Sequence, residues 1–407
     1  MPDADAPPHL RPGLRPSAPP AGRPAPGPLL TASVLLLSAM TIMANATIAP
    51  SLPDLRSHYA DVPGIETLAG LILTLPSLAI VLSAGLMGWL ADKVDRQWLL
   101  AGSGLLYALG GTSGLWVDSL PALLAGRVVL GVGVAGTMIL ATTWAADLWQ
   151  GPARERFLGR QGAAMSAGGI VVIVLGGALA TLGWRGAFAT YLLVVPVTLL
   201  ALWTLAPHAR ARVDRPPSVE AGGAMPWRRF AFVGTLGFLF MLAFYVMPTR
   251  GPFLLQGIGV TNPFVKGLML AGMTLFAIPG ALGYGRLRRA LSPMSIFAGS
   301  WLLMGAGLGI VAAASTPALA VAGIAVLGLG MGPSLPNYTT FWMNAVPPAL
   351  RGRASGLLTT AFFAGQFASP LATAPLVAVA GLPGAFGWLA AAMAALGTAL
   401  AVVARRG

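Results

Sequence analysis

Between Gly88 and Arg96 the chain reads Gly-Trp-Leu-Ala-Asp-Lys-Val-Asp-Arg, which places four charged residues within a short stretch. Long apolar segments flank these charges, near 67–91 and 97–117. Each segment is close to the roughly 20 residues that an α-helix needs to cross the hydrocarbon core of a bilayer. A short charged connection between two such segments is typical of consecutive membrane helices. This part of the chain therefore predicts a membrane protein built from helices.

Composition extends this prediction to the whole chain of 407 residues. Hydrophobic residues make up 56% and charged residues only 9%, whereas a soluble domain carries about 25% charged residues because its surface faces water. The chain has no Cys, which excludes disulfides and Cys-based metal sites. Its three His residues, His9, His58 and His208, fall in predicted loops or tails, so neither a metal nor another cofactor is expected.

Twelve apolar segments of membrane-spanning length follow one another along the chain. They lie near 29–50, 67–91, 97–117, 120–144, 161–181, 185–205, 230–249, 265–285, 294–314, 316–340, 354–378 and 384–404. Gly (53) and Pro (34) are abundant, which fits membrane helices, because Gly allows close packing and Pro produces kinks. The expected fold class is an all-α membrane protein with twelve transmembrane helices.

The basic residues test this layout, because cytoplasmic loops of membrane proteins are enriched in Lys and Arg. With the N-terminus inside, 20 of the 25 basic residues fall in cytoplasmic segments and Arg127 alone falls within a span. Four fall outside: Arg56, Arg185, Arg250 and Lys266. The bias predicts a multi-pass protein of the inner (plasma) membrane with both termini cytoplasmic. The net charge of +13 thus follows the bilayer and indicates no nucleic-acid partner.

An internal repeat indicates two six-helix halves. Residues 197 positions apart match in three regions: Gly88 with Gly285, Gly131 and Gly133 with Gly328 and Gly330, and Arg154 and Arg156 with Arg351 and Arg353. The expected domains are a disordered cytoplasmic tail (1–28), an N-terminal bundle (29–205), a cytoplasmic linker (206–229) and a C-terminal bundle (230–407). The two bundles are expected to be pseudo-symmetric.

The loop from Gly88 to Arg96 resembles the signature Gly-x-x-x-Asp-Arg/Lys-x-Gly-Arg/Lys of the major facilitator superfamily. Gly88, Asp92, Lys93 and Arg96 match it, while Asp95 stands where the family usually has Gly. Together with the two six-helix repeats, the resemblance implies the major facilitator fold. It also implies a cytoplasmic latch, in which Gly88 permits close helix contact and Asp92 bonds a helix N-terminus and pairs with Arg96. The alternative is a set of loop charges that only fixes the topology.

Arg127 begins the run Arg-Val-Val-Leu-Gly-Val-Gly, which resembles the Arg-x-x-x-Gly-x-Gly pattern of the same family. A charge inside a bilayer costs about 2.5–3.5 kcal/mol even on the insertion scale, so Arg127 is expected to face the bundle interior. The resemblance implies a role in proton coupling. The structural alternative is an Arg that extends to the outer surface, about two turns away.

The first span carries Thr41 and Asn45 ahead of a Leu52-Pro53 pair. This arrangement looks like the pattern Asp-x-Thr…Leu-Pro of the drug-efflux branch, with Asn45 where that branch often has Asp. Asn45 cannot carry a proton as Asp could. It is expected either to bond a ligand in the central cavity or to bond a neighbouring helix.

The fifth span carries two glycine pairs, Gly168-Gly169 and Gly176-Gly177. They partly resemble the glycine-rich motif of the family's antiporters, although the usual Pro is missing. The pairs indicate either antiport or tight helix packing.

The carboxylates limit where a proton could be carried. Of the 12 Asp and Glu residues, none lies in the middle of a predicted span and none follows Glu220. Proton-driven porters usually need a titratable group that both sides of the membrane can reach. Asp147, at the inner end of the fourth span, and Glu66, at the outer mouth of the second, are the candidates for coupling. Each is alternatively an ordinary helix-end charge, and facilitated diffusion would need neither.

Polar residues in five spans are candidates for binding the solute. The central cavity is expected to be lined by the first, fourth, seventh, tenth and eleventh spans. Pro residues predict that the seventh span ends near Pro248 and that the tenth breaks at Gly332-Pro333. The candidates are Asn45, Thr41, Trp144, Tyr245, Asn337, Tyr338 and Gln366. Each is alternatively a residue of the bundle satisfied by its neighbours.

These features predict a transporter and not an enzyme, since the sequence shows no nucleotide-binding loop, metal cluster or catalytic triad. The resemblance implies alternating access and is closest to bacterial efflux members. The expected function is export of small organic molecules, such as drugs or metabolites, by a monomer and in exchange for protons. The alternatives are a facilitator or importer of a metabolite or vitamin, and a non-transporting membrane receptor.

Overall fold

The computed structural model describes residues 26–208, 224–347 and 350–406. Within these residues the regular structure is helical throughout, as predicted. Nearly all of the predicted disordered tail (1–28) and most of the predicted linker (206–229) lie outside the described residues.

The described helices account for twelve membrane spans. Nine helices in this part of the chain are long and apolar enough to cross a membrane. One of them, Arg351–Arg406, turns at Gly381, where φ is 68°, and therefore forms two spans. Two less apolar or shorter segments complete the set: Arg96–Trp116, which is rich in Gly, and the segment that starts with Pro28–Met43.

The first six spans form one bundle and the second six form another. The first bundle contains Pro28–Met43 continued by Leu52–His58, then Ile65–Lys93, Arg96–Trp116, Leu120–Leu148, Gly151–Ala180 and Gly186–Leu205. The second contains Trp227–Phe244 continued by Val246–Gly257, then Pro263–Ala290, Pro293–Ala312, Pro317–Met331 continued by Ser334–Met343, and the two parts of Arg351–Arg406. We number them spans 1 to 12 in this order.

Spans 1 and 10 are interrupted beside Pro residues, which lack the backbone N–H that a helix requires. Span 1 is an α-helix only to Met43, and a turn then leads into a short 3₁₀ segment, Ala49–Ser51. The predicted continuous helix to residue 50 is therefore too long. Span 10 breaks between Met331 and Ser334, at the site that the sequence predicts.

Span 7 is longer than its sequence indicates. Its helix is interrupted only at Tyr245 and continues to Gly257, with Pro252 inside the second part. The predicted end near Pro248 is wrong, because a single lost backbone bond is tolerated where a helix is packed among its neighbours. Consequently Arg250, which was expected in an outer loop, lies within a span and is buried.

The two bundles repeat the same helix contacts 197 residues apart. At four glycines an added side chain would come within 2.8 Å of a facing backbone nitrogen, so the helices can approach only because Gly is present. The glycines and their facing residues are Gly110 with Leu130 and its equivalent Gly307 with Leu327, and Gly133 with Tyr107 and its equivalent Gly330 with Met304. The repeat seen in the sequence is thus confirmed as a repeat of packing.

The bundles meet mainly through spans 2 and 11 and through spans 5 and 8. We call the face that carries the connections 93–96, 148–151 and 290–293 the basic face, and the opposite one the far face. Towards the far face these spans touch. A Cβ on Gly70 would lie 2.6 Å from Pro370 Cβ, and one on Gly177 would lie 2.8 Å from the Pro263 carbonyl oxygen.

Towards the basic face the same four spans do not touch at their glycines. An added Cβ would have nothing within 4 Å at Gly85, Gly88, Gly159, Gly283 and Gly356. Among the described residues, each side-chain hydrogen bond between the bundles involves Gln366 or Arg250, at mid-height or nearer the far face. The bundles are therefore joined at the far face and apart at the basic face.

Candidate functional site

A cluster of amide and hydroxyl groups joins the two bundles near the middle of the spans. Gln366 of span 11 accepts hydrogen bonds from Ser77 Oγ of span 2 at 2.9 Å and from Asn45 Nδ2 of span 1 at 3.3 Å. Its own Nε2 donates to the sulfur of Met241 in span 7 at 3.7 Å. All four side chains are buried. We call Asn45, Ser77 and Gln366 the amide cluster.

Local sequence explains why Asn45 and Ser77 reach this interface. Asn45 lies in the turn that follows the end of the helix at Met43, so its side chain is presented where span 1 changes direction. In span 2 the carbonyl of Pro76 lies against Gly131 of span 4, inside the first bundle. The next residue, Ser77, points about 100° further round the helix, towards the second bundle.

Arg250 of span 7 closes the interface on the far side of the amide cluster, and we call its contacts with Glu66, Pro370 and Thr373 the far gate, or simply the gate. Its guanidinium donates from Nη1 to the Glu66 carbonyl at 2.9 Å, from Nη2 to the Pro370 carbonyl at 3.1 Å, and from Nε to Thr373 Oγ1 at 3.3 Å. Glu66 belongs to the first bundle and the other two acceptors belong to the second. A hydrogen bond to a charged group contributes about 1.5–3 kcal/mol, so this buried residue ties the bundles together.

The gate and the amide cluster form one column between spans 2 and 11. Residues spaced three, four or seven apart share a helix face. In span 2 these are Glu66, Gly70 and Ser77, and in span 11 they are Gln366, Pro370 and Thr373. Opening the far face therefore requires spans 2 and 11 to separate along this column, from the amide cluster to the far face.

Glu66, a predicted coupling residue, lies at the exposed end of this column. Its carboxylate pairs with Arg56 at 3.0 Å, and the Arg56 guanidinium also lies 5.2 Å from the ring centre of Phe253 in span 7. Because the Glu66 side chain is 57% exposed, the ion pair is worth at most about 1 kcal/mol. The carboxylate thus lies at the exposed end of span 2, at the mouth of the gate, and not in the middle of the spans.

The residues of the predicted latch do not meet the second bundle in this conformation. Asp92 and Lys93 are exposed, and Gly88 has open space beside it. The close helix contact expected at Gly88 is therefore absent here, because the bundles are apart at the basic face. The latch remains a prediction for the conformation in which that face is closed.

Arg96 has a different partner from the one expected. It pairs with Asp147 of span 4, with 2.7 Å between Nη1 and Oδ2, and not with Asp92. Asp95, not Asp92, caps a helix by accepting the backbone N–H of Gln97 at 2.8 Å. Asp147, the second coupling candidate, is therefore held by an ion pair inside the first bundle at its basic face.

Arg127 is fully buried within the first bundle, so it does not extend to the outer surface. Its Nη2 donates to the carbonyls of Gly110 at 3.0 Å and Gly111 at 2.7 Å, both in span 3. The guanidinium lies 5.1 Å from the ring centre of Tyr191, whose hydroxyl donates to the Ala44 carbonyl at 3.0 Å. Arg127 is thus linked through Tyr191 to the turn that carries Asn45.

Three other substrate-binding candidates lie near the amide cluster or deeper in the first bundle. Tyr245 follows Met241 by four residues and its backbone N–H bonds the Met241 carbonyl at 3.0 Å, which places it beside the cluster region. Thr41 lies in the last turn of the helix that ends at Met43, just before the turn that carries Asn45. Trp144 of span 4 is only 1% exposed, and its indole N–H has no hydrogen-bond partner in the part of the chain described.

Asn337 and Tyr338 were predicted to bind solute, but the structure directs both into the second bundle. Asn337 donates to the Pro293 carbonyl at 2.9 Å and accepts from the Tyr284 hydroxyl at 3.3 Å. Tyr338 donates to the Leu236 carbonyl at 3.0 Å and accepts from Trp301 Nε1 at 3.3 Å. Both side chains are fully buried, and these bonds hold the spans of one bundle together.

The glycine pairs of span 5 serve close packing. An added Cβ would lie 2.8 Å from Ala39 Cβ at Gly168, and within 3.0 Å of Thr47 atoms at Gly176. Gly177 faces span 8 in the same way. Of the two interpretations of these glycines, the structure supports tight packing against spans 1 and 8.

Sequence reasoning missed three buried polar residues, two of which, Ser77 and Arg250, bond across the interface. Ser77 has an ordinary type and position in a long apolar segment, so no signal distinguished it. Arg250 and Lys266 were assigned to outer loops, yet both are buried within spans 7 and 8.

The two bundles, their twelve spans and the polar column between them define a multi-pass membrane protein of the two-bundle transporter fold. The family model described as Major Facilitator Superfamily matches residues 34–370. The chain belongs to this superfamily.

Solved structures agree with this assignment at the level of the fold. A crystal structure of a mutant nucleoside transporter NupG superposes with a TM-score of 0.75 at 15% identity, covering 91% of this chain and 99% of that one. A crystal structure of a D-xylose-proton symporter gives a TM-score of 0.70 at 17% identity, covering 91% and 96%.

Among curated proteins, the minor myo-inositol transporter IolF of Bacillus subtilis is 28% identical over 232 residues, which cover 52% of this chain and 53% of the relative. The multidrug efflux pump Tap of Mycolicibacterium fortuitum is 25% identical over 238 residues, which cover 56% of each. The chain thus spans about half the length of these relatives.

Proposed function

We propose that the protein moves small organic molecules across the membrane by alternating access, with the amide cluster as part of the solute site. The observation that carries this proposal is the unequal contact between the bundles. They are joined at the far face by Arg250 and by the Gly70–Pro370 contact, and they are apart at the basic face. A rocking motion of one bundle against the other would open one face while closing the other.

Export in exchange for protons is the direction that we propose, with the basic face in the cytoplasm. In this orientation the present conformation is open to the compartment from which an exporter loads its solute. A relative whose printed name is a multidrug efflux pump supports this direction. Glu66 and Asp147 are the proposed proton carriers, and Arg127 acts on the solute site through Tyr191.

The predicted latch acts in the conformation in which the basic face is closed. Its residues are Gly88, Asp92, Lys93 and Arg96. When the basic face closes, Asp92 would meet the second bundle and stabilise that state. The proposed solute contacts are Asn45, Gln366, Thr41, Tyr245 and Trp144.

Flux through reconstituted protein tests the proposal. Proteoliposomes would be loaded with a panel of labelled metabolites and drugs, and efflux would be followed with and without an imposed pH gradient. We expect at least one compound to leave faster than from protein-free vesicles, and faster still when protons can enter in exchange. Transport that ignores the gradient would remove antiport, and binding without any transport would remove alternating access.

A second candidate function is import or facilitated diffusion of an uncharged metabolite. It is favoured by the absence of any Asp or Glu among the buried residues in the described ranges, and by the ion pair with Arg96 that already occupies Asp147 at the basic end of span 4. The myo-inositol transporter among the relatives points in the same direction. The same vesicles discriminate the two functions, because a facilitator equilibrates solute in both directions without a gradient.

A further inference from the structure

The amide cluster has hydrogen-bonding capacity that the protein itself leaves unused. Asn45 Oδ1 is buried and has no hydrogen-bond partner within the described part of the chain. Gln366 Nε2 donates only to the Met241 sulfur, at 3.7 Å, and a thioether sulfur is a weak acceptor. An acceptor and an underused donor thus lie on two side chains that already contact each other. Burying such groups is costly unless a further partner satisfies them.

The buried charges in the described part of the chain are all positive. Among the described residues, the buried ionisable side chains of the charged types are Arg127, Arg250 and Lys266, and no buried carboxylate accompanies them. In a low-dielectric interior this arrangement repels a cationic solute. The second bundle cannot supply a counter-ion, because no Asp or Glu follows Glu220 in the sequence.

These cations are also not directed at a solute in the amide cluster. Arg250 has three acceptors of its own, and Lys266 Nζ donates to Gln256 Oε1 at 3.3 Å. Arg127 lies between spans 3 and 6, with Phe188 and Tyr191 against its guanidinium. An anionic solute at Asn45 and Gln366 would therefore give up its hydration without gaining a direct ion pair.

We propose that the amide cluster recognises an uncharged solute through a hydroxyl or carboxamide group, which can both donate and accept. The solute donates to Asn45 Oδ1 and accepts from Gln366 Nε2, so it satisfies both groups at once. Because Asn45 and Gln366 belong to different bundles, the bound solute bridges the moving interface. This inference rests on the proposed function for its place in a transport cycle, but binding itself can be measured separately.

Two trios of compounds matched in size test the charge preference. One is D-glucitol, D-glucamine and D-gluconate, and the other is benzamide, benzylamine and benzoate. Binding to the full chain in nanodiscs would be measured by equilibrium dialysis, and flux of the same compounds by proteoliposomes. We expect an uncharged member to bind about tenfold more tightly than its charged counterparts, which corresponds to ~1.4 kcal/mol.

Isosteric variants test whether the amide cluster causes the preference for an uncharged solute. Asn45→Asp and Gln366→Glu introduce a carboxylate without a change of size, and we expect each to improve binding of the amine. Gln366→Glu also replaces the Nε2 donor by an oxygen, so it should weaken binding of the uncharged compound about tenfold, whereas Asn45→Asp keeps an acceptor at Oδ1. Gln97→Glu is the control, since Gln97 lies at the basic end of span 3 and bonds the Leu202 carbonyl.

The outcomes separate the two proposals. Tighter binding of an amine or a carboxylate by the unmodified chain, or no binding of either uncharged compound, overturns the inference. The same holds if Asn45→Asp and Gln366→Glu behave like Gln97→Glu. Binding of the uncharged compound without flux leaves the inference standing and removes the proposed transport function.

Discussion

At the scale of single residues, two buried arginines have different roles. Arg127 bonds carbonyls within its own bundle, whereas Arg250 bonds acceptors in both bundles. Only a residue that bonds across the interface can stabilise one conformation of the molecule against another. The far gate should therefore depend on Arg250, and its bonds should be absent when the far face is open.

Arg250→Ala should open the far face more often, because it removes the charged hydrogen bond to the Glu66 carbonyl that crosses the interface. Since the chain has no Cys, a single Ser77→Cys substitution provides a clean reporter within the column. We expect a membrane-impermeant maleimide added at the far face to label this Cys about tenfold faster or more when Arg250 is replaced.

Arg185→Ala is the matched control for Arg250, since Arg185 is a far-face arginine whose bonds to Gly114 and Val117 carbonyls stay within the first bundle. It should leave the labelling rate of the reporter unchanged. Equal rates in the two variants would show that Arg250 does not hold the gate.

Asp92→Asn tests the latch in the conformation that is not seen here. Asp92 is exposed when the basic face is open, so the substitution should leave folding and membrane insertion intact. If the carboxylate bonds the second bundle on closure, flux in proteoliposomes should fall about tenfold or more, since a charged hydrogen bond is lost in one state only. Glu155→Gln replaces another exposed carboxylate of the basic face and should transport normally. Normal turnover in Asp92→Asn would remove the latch.

At the scale of the helices, hydropathy and Pro positions predicted the spans well because both act locally. The break at Gly332-Pro333 follows from the missing N–H groups, and the repeat of glycines follows from close packing. The end of span 7 was wrong because Pro248 and Pro252 signal a break that tertiary packing overrides. Asn337 and Tyr338 bond within the second bundle, the alternative that the sequence left open, because a sequence does not state which neighbour a helix turns towards.

Tyr191 stabilises the break in span 1, because its hydroxyl donates a hydrogen bond to the carbonyl of Ala44, the residue before Asn45. Tyr191→Phe removes this bond and frees the turn, at a cost of about 0.5–1.5 kcal/mol. We expect weaker solute binding, because Asn45 is no longer positioned. Tyr284→Phe, which removes a hydroxyl bond to Asn337 inside the second bundle, should lower thermal stability similarly and leave affinity unchanged. Equal solute affinities in the two variants would show that Tyr191 does not position Asn45.

At the scale of the whole molecule, glycines of span 2 report which face is closed. Gly70 touches Pro370 at the far face, while Gly88 has open space at the basic face. If the bundles rock about the amide cluster, the two contacts cannot be made at the same time. An added Cβ at either glycine should therefore destabilise only the conformation in which that glycine contacts the second bundle.

Gly70→Ala should disfavour the far-closed state, because its Cβ would lie 2.6 Å from Pro370 Cβ. Gly88→Ala should leave that state untouched and disfavour the state in which the basic face closes. The Ser77→Cys reporter should then react faster from the far face in Gly70→Ala and more slowly in Gly88→Ala. An Ala also restricts the chain by itself, but this effect is the same at both helical positions and cannot produce opposite signs. Changes in the same direction would show that the two faces do not alternate, and the rocking motion on which the transport cycle depends would have to be abandoned.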